Sequence, residues 1–526
     1  MKQEARAFFD AKLRRIAERT ETVSERIFDR PSIAEIAALE AEGKIRKVHI
    51  SGVCGKATSS LAGLFAEAGY EVSGSDQGCY PPASDLIERL GIKFHEGFAP
   101  ENLQGKDLVV VANMFGPNDI EAKAAREQGL NQVSMPEAIT EFFIKDRTSI
   151  VVCGTHGKTT TTGMAAHVFL SAGKNPGFLV GGVAVPTENG IKETSFSAGN
   201  SSTRHFIIEG DEYDTAYFDK SPKFLLYKPK ISIITSLEFD HADIYADFEE
   251  YKQSFIFLAQ ETAKGGLLIL NGDIEEVAAL AQYADAQVVR YGFTEGCDIK
   301  AGNITVDADG QHFDVSYKGN DFGRFTIKLF GRYNIANALS VMAAALHENL
   351  SADEIRAGLS TFIGMKRRQE IRANINGVLV IDDFAHHPTA VHETLAGIKE
   401  RFSDRRIIAL FEPRSNTSRK KMFEDPYSHA FSSADVLCLS MPALRHNDNP
   451  ADFIDGGTVI EKVKADGAAR GKEVQAFCVS NGDEALERLV PGLRSGDVVV
   501  IMSNGSFDGV HGKLITALQT KFPTAA

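Results

Sequence analysis

The sequence predicts an α/β protein assembled from several parallel-sheet domains. Short apolar, β-branched runs alternate with helix-compatible segments from Ile45 almost to the C-terminus. Two of these runs break into glycine-rich turns that lead straight into a helix. A chain of 526 residues also exceeds one ordinary core, so two to four domains are expected.

Taken in order, Lys2 to Glu42 is charged and helix-like, a helical hairpin broken near Pro31, with no uninterrupted apolar stretch of the signal-peptide kind. Ile45–Ser51 is a strand that runs into Gly52-Val-Cys-Gly55-Lys56. A helix to Gly69 follows, then a strand at Tyr70–Ser73 ending at Gly74-Ser75-Asp76. This is a Rossmann-like first turn with an acidic residue about 20 positions on, placed to meet a ribose or base. Gly52, Gly55, Ser75 and Asp76 are therefore candidate substrate contacts. Asp107–Asn113 continues the sheet.

Ser149–Cys153 opens the second unit and breaks into Gly154-Thr155-His156-Gly157-Lys158-Thr159-Thr160. A glycine-rich turn between strand and helix aims free backbone N–H groups at one point, where the helix dipole and Lys158 add positive charge. The Thr159 hydroxyl stands where such a loop offers a ligand to magnesium. Later strands are Phe206–Gly210, Ile231–Ser236 and Gly266–Leu270, with a polar, aperiodic and mobile loop expected at Pro186–Arg204. Gly292–Thr326 reads as short alternating strands. A third α/β unit contains Val378–Asp383, Arg406–Pro413, Val436–Ser440 and Asp497–Gly505. The resulting divisions are a helical N-terminal extension (1–44), a first Rossmann-like domain (45–146), a central nucleotide domain (147–364) and a C-terminal domain (365–526).

A net charge of −14 argues against nucleic-acid binding, and no apolar stretch reaches transmembrane length. Six cysteines without a C-x-x-C pair read as reduced thiols of a cytoplasmic protein, with Cys79 accessible. Polar clusters follow the strands. They are the acidic run Glu209–Asp214, Glu238-Phe-Asp240-His241-Ala-Asp243, Asp382-Asp383-Phe-Ala-His386-His387-Pro388 and Glu412-Pro-Arg414-Ser415-Asn416-Thr417. The first two suit magnesium ligation, and the arginine of the last suits a carboxylate.

GTHGKTTT at 154–161, the acidic run at 209–214, D-H-x-D at 240–243, G-x-x-N-x-x-N at 331–337, the arginines at 367–368 and D-D-x-x-H-H-P at 382–388 together resemble the Mur ligases of bacterial cell-wall synthesis. The likeness runs from Ile45 to about residue 515. It implies a three-domain architecture: a Rossmann-like UDP-sugar domain, a central ATPase domain and a C-terminal Rossmann-like domain presenting the amine. It also implies ATP and Mg2+ as cofactors, and amide formation through an acyl phosphate. Of two similar branches, one adds L-alanine to UDP-N-acetylmuramate. The other joins the murein tripeptide L-alanyl-γ-D-glutamyl-meso-diaminopimelate to the same sugar nucleotide. Tyr80-Pro81-Pro82-Ala83-Ser84, Asp211–Asp214 and the segment from Glu412 to Thr417 look like the tripeptide branch.

By the same resemblance Lys158 serves the β/γ-phosphates, Thr159 and Glu209 the first magnesium, and His241 a second. Asn334 and Asn337 lie on the adenine side, and Arg368 and Asp383 reach ATP from the third domain. His386, Arg414, Ser415 and Asn416 face the acceptor, with Arg419, Lys420 and Lys421 adding charge to a groove. Tyr333 replaces the family's usual histidine, and Phe255-Ile256-Phe257 stands where some members carry a carbamylated lysine. A monomer or homodimer is expected. Two other classes stay open, a phosphate-loop motor or switch and a non-catalytic UDP-sugar-binding protein.

Overall fold

The computed structural model of the chain describes residues 2–20, 30–188, 190–200, 202–442, 444 and 448–523. Its first large sheet is wholly parallel, in the order Lys93–Glu96, Glu71–Asp76, Lys47–Ser51, Leu108–Val111, Asn131–Ser134. Strand order reverses beside Lys47–Ser51, so the crevice past its carboxyl end is a topological switch point, where open α/β sheets bind ligands. The second strand extends to Asp76, beyond the expected Ser73. Gly74 has no side chain to strike Val53, and Ser75 stays paired with Ser51.

The central sheet has ten strands, from the meander Ile299–Val306, Gln311–Tyr317 and Asn320–Ile327 at one edge to Phe196–Ser197 at the other. Its interior is parallel, with Thr148–Cys153 between Ile231–Ile234 and His205–Glu209. Both edges are antiparallel, which corrects the expectation of parallel sheets throughout. Only short turns separate the meander strands, and loops of that length join antiparallel neighbours alone. The third sheet is parallel except for Glu370–Ile375, which a tight turn returns antiparallel onto Val378–Asp383.

One face of the central sheet packs Ile150, Val152, Met164, Phe169 and Leu339 together. The other joins Val151, Ile208, Phe255 and Tyr251 to Ile50, Leu61, Phe65 and Phe143 of the first domain in one continuous apolar core. Burial across that boundary, at about 25 cal/mol per Å2 of apolar surface, makes the first two domains one packed unit.

The expected mobile loop is docked along its described residues. Phe196 is 3% exposed and sits on Gly63, where a β-carbon would collide with its ring. Ser195 and Ser60 share a 2.7 Å hydrogen bond, and Ala198 N donates to Glu67 Oε2 at 2.8 Å. Its polar composition hid one aromatic anchor.

The N-terminal extension forms helices Gln3–Thr20 and Ile33–Ala41; the intervening turn of the expected hairpin lies largely outside the described residues. A capping box at Ser32 and Glu35 starts the second helix. Ala5, Phe9 and Leu13 are buried, and Phe9 meets Phe257 edge-on at 5.8 Å. Arg6 pairs with Asp219 and Arg30 with Glu137, so the extension straps the first and central domains.

Cys54 and Cys79 form a disulfide, with α-carbons 5.3 Å apart, which corrects the expectation of reduced thiols there; the other four cysteines are free. The loop after Asp76 folds back over the first glycine turn and brings the two within bonding geometry. Between the second and third sheets the chain passes through Arg367 and Gln369, both in left-handed backbone with φ of 61° and 51°.

Candidate active site

The three adjacent parallel strands at the centre of the second sheet deliver their following loops to one carboxyl edge. Residues 154–160, 209–214 and 235–241 therefore meet, although up to 87 positions separate them. Gly154 (φ 125°) leaves no room for a side chain against Thr235 and Ser236. A β-carbon on Gly157 (φ 82°) would lie 2.9 Å from Asn337 Oδ1. The tight turn that cradles phosphate is thus enforced by both neighbours. Helix Lys158–Ser171 begins directly behind it, with its free N–H groups and dipole facing the turn.

Thr159 Oγ1 donates to Glu209 Oε1 at 3.0 Å, and Glu209 Oε2 accepts Gly181 N at 2.7 Å. Lys158 Nζ is held back on its own loop, donating to Gly154 O at 2.5 Å and Glu212 Oε1 at 2.8 Å. Burial alone would lower the ammonium's pKa, but Glu212, with Glu209 and Asp211, holds it above its ordinary value. The second Glu212 oxygen is fully buried and has no hydrogen-bond partner; it lies 3.6 Å from His241 Nε2. Burial lowers the His241 pKa, and Glu212 and Asp240 more than reverse it. The oxygen donors of Thr159, Glu209 and Glu212 are of the type a hard divalent cation takes, so these residues, with His241 beside Glu212, are the ones that could hold Mg2+.

Asn334 and Asn337 occupy the first two turns of helix Arg332–His347, both buried, Asn337 Nδ2 donating to Asn334 Oδ1 at 3.2 Å. From the C-terminal domain, Arg368 Nη2 donates to Thr159 Oγ1 at 3.3 Å, and its guanidinium lies 4.6 Å over the Phe384 ring. Asp383 accepts Gln369 N and Ala385 N, each at 2.7 Å. Burial raises its pKa, against the pull of Arg368. His386 Nδ1 is held at 3.0 Å by Phe384 O, and burial lowers its pKa. These groups line one cavity of about 530 Å3 that also reaches Tyr291, Phe293 and Arg332. That is room for a nucleotide between two domains.

At the first turn, Gly52 N donates to Ser75 O at 2.8 Å, and Asp76 Oδ2 accepts Cys54 N at 3.0 Å. Ser75 corrects the expectation. Its hydroxyl is fully buried and donates to Glu121 Oε2 at 2.5 Å, because its side chain points into the sheet face that Ser51 and His49 share. Past strand Arg406–Glu412, Arg414 is half-exposed and lies 3.5 Å from Glu412. Asn416 Nδ2 reaches Asp243 Oδ2 at 3.1 Å, and Ser415 Oγ caps Ser418 N at 2.9 Å. Arg419 is not a groove charge. It is buried, paired with Asp448 and laid over Phe453.

Three family models match in chain order. They are "Mur ligase family, catalytic domain" over 47–147, "Mur ligase middle domain" over 152–345 and "Mur ligase, glutamate ligase domain" over 367–505. The UDP-N-acetylmuramate–L-alanyl-γ-D-glutamyl-meso-2,6-diaminoheptandioate ligase of Escherichia coli (strain K12) is 34% identical over 91% of the chain and all of the relative. The chain belongs to the Mur ligase family. The UDP-N-acetylmuramate–L-alanine ligase of Salinibacter ruber is 32% identical over 94% of this ligase and 99% of the relative. A crystal structure of a murein peptide ligase from Psychrobacter arcticus is 33% identical, covers 91% of this ligase and all of that chain, and superposes with a TM-score of 0.64.

The structure of this Mur ligase brings Lys158, Thr159, Glu209, His241, Asn334, Asn337, Arg368, Asp383 and His386 into one cavity. Gly52, Gly55 and Asp76 gather at a separate turn. Sequence reading passed over Glu212, one acid in a run of four, which only the fold singles out as the partner of Lys158. It also passed over Phe384, whose ring lies against Arg368 and which Lys56 of the first turn approaches to 5.2 Å. No helix among the described residues is long and apolar enough to cross a membrane.

Proposed function

We propose that this ligase uses ATP to join UDP-N-acetylmuramate to the tripeptide L-alanyl-γ-D-glutamyl-meso-diaminopimelate. The observation that carries the reading is the convergence of Thr159, Glu209 and Arg368 across two domains. Thr159 Oγ1 lies 3.0 Å from Glu209 and 3.3 Å from Arg368, beside the phosphate turn. The nucleotide lies in the 530 Å3 cavity with adenine toward Asn334 and Asn337. The sugar nucleotide approaches over Gly52, Gly55 and Asp76. The domain divisions follow at 44/45, 146/147 and 364/365.

A carboxylate resists attack by an amine, so the γ-phosphoryl group first moves to the lactyl carboxylate to give an acyl phosphate. Lys158 leaves Glu212 for the transferring phosphoryl group, and Arg368 neutralises its charge from the opposite domain; the step is positioning and charge stabilisation. Thr159 with Glu209, and Glu212 with His241, would hold Mg2+, which would supply Lewis-acid polarisation of the phosphate oxygens. The peptide amine then attacks the acyl carbon and phosphate departs. Arg414 and Asn416 orient the acceptor's carboxylates.

Tripeptide is favoured over L-alanine by the higher identity to the tripeptide-adding relative, 34% against 32%, and by the half-exposed Arg414. Phosphate release from ATP, measured with UDP-N-acetylmuramate and either acceptor, tests this. The tripeptide is expected to be far the better substrate. Equal efficiency with free L-alanine would assign the chain to the alanine-adding branch instead.

A further inference from the structure

A second cluster of donors lies beside the phosphate turn, and the steps above leave it without a role. His156 Nε2 is 3.0 Å from Glu238 Oε2, and His387 Nδ1 is 3.2 Å from the same oxygen. The two imidazole rings stand 4.6 Å apart, and all three donor atoms fall within 4.8 Å of one another. His156 belongs to the phosphate turn and Glu238 to the loop after strand Ile231–Ile234. His387 caps helix Pro388–Arg401 of the C-terminal domain.

Hydrogen bonding alone leaves this cluster in conflict. As helix cap, His387 Nδ1 accepts the Thr389 N–H at 3.4 Å, so it is the unprotonated nitrogen of its ring. It then turns a lone pair toward a carboxylate oxygen 3.2 Å away. Two acceptors at that distance repel unless a cation sits between them.

We propose that His156, Glu238 and His387 bind one divalent cation of the zinc class, which ties the phosphate turn to the C-terminal domain. Two imidazoles and one carboxylate are a zinc-type set, whereas the Mg2+ residues above are mainly oxygen donors. Tetrahedral bonds of about 2.1 Å separate neighbouring ligand atoms by roughly 3.4 Å, close to the 3.0 and 3.2 Å that separate the two imidazoles from Glu238. The central-domain half is rigidly placed, since Thr155 Oγ1 bridges the Glu238 backbone and His156 N donates to Ser236 Oγ at 2.8 Å. The third ligand arrives only when the C-terminal domain is closed. Binding of the ion therefore favours closure and slows the opening that releases product.

The test is titration of the full chain with Co2+, a visible stand-in for Zn2+, in excess Mg2+ and without nucleotide. Wild type is expected to take up a single tight equivalent with the intense d–d bands of four-coordinate Co2+, and Zn2+ should displace it. His387→Asn keeps a helix-capping side chain but removes the imidazole, and Glu238→Gln removes the anionic ligand. Each should weaken binding by more than about tenfold, since even outer-shell partners are worth that much. His429→Ala, which removes an exposed imidazole paired with Asp466 elsewhere, should bind as wild type does. Absence of tight Co2+ binding in wild type, or unchanged bands and affinity in His387→Asn, would overturn the proposal.

Discussion

Lys158 and Glu212 form a 2.8 Å ion pair in which the glutamate is fully buried and the lysine 15% exposed. The lysine of the phosphate turn is thereby stored one side-chain rotation from the place where phosphate would bind. Removing it takes away the full positive charge of that turn. Lys158→Ala is expected to lower kcat for phosphate release by at least about a hundredfold, the scale of one lost electrostatic stabiliser. Near-normal turnover would contradict the assignment of the cavity to ATP.

Arg368 comes from the far side of the cleft, and it can hold Thr159 only while the C-terminal domain is closed. Small-angle scattering should show a smaller radius of gyration with a non-hydrolysable ATP analogue and the UDP-sugar than without them. Arg368→Ala should abolish most of that contraction. A radius indifferent to both ligands would count against nucleotide-driven closure.

Glu121 gives a pH dependence with a definite sign. Burial pushes its carboxyl up, but hydrogen bonds from His49, Ser51, Ser75 and Asn102 bring it down to about 2. A carboxylate depressed on folding adds stability above its unfolded pKa and loses that contribution as pH falls through the folded value. From 4.5 to about 2, the linked contribution is about 3 kcal/mol at neutral pH. Urea unfolding of Glu121→Gln should show a loss of that order at pH 7 that shrinks steadily below pH 4.5. A loss independent of pH would mean the carboxylate's charge is not what matters.

Phe9 tests the N-terminal strap. It is 1% exposed among Phe8 and Phe257, so Phe9→Ala should cost about 3 to 5 kcal/mol by chemical denaturation. A change under about 1 kcal/mol would show that the strap is not coupled to the core.

Arg414→Ala should raise the apparent KM for the tripeptide well above any change in the KM for ATP, because Arg414 follows strand Arg406–Glu412 and does not line the cavity of the phosphate turn. Equal rises in both would place the arginine in the nucleotide site.

Much of this was legible in the sequence because strand and loop chemistry are local. The strands Val378–Asp383 and Val436–Ser440 fall where β-branched runs place them, and each polar cluster follows a strand carboxyl end. What escaped was long-range. Cys54 and Cys79 meet only because strand Glu71–Asp76 runs on past Ser73, and no spacing rule signals a pair 25 residues apart. Ser75 looked outward because strand alternation fixes which face a residue takes only once the register with Ser51 is known. Glu212 among four acids, and Phe196 in a polar loop, gain their roles from partners 54 and 133 positions away, which a single chain read in order does not reveal.

The passage between the second and third sheets carries a final consequence. Arg367 and Gln369 lack glycine's freedom yet sit at φ of 61° and 51°, a conformation that costs such residues of order 1 kcal/mol each or more. They are held there by bonds within the C-terminal domain. Arg367 Nη2 donates to Ser503 O and Gly505 O at 2.7 and 2.8 Å, and Gln369 N donates to Asp383. Those bonds travel with the domain. Gln369 Nε2 reaches back across the boundary, donating to Phe330 O and the Tyr333 hydroxyl of the central domain at 3.2 and 2.7 Å. The strained backbone is thus braced from one side by bonds that persist and latched on the other by a single amide, so opening the cleft asks the linker to release one side chain while its costly φ values stay supported.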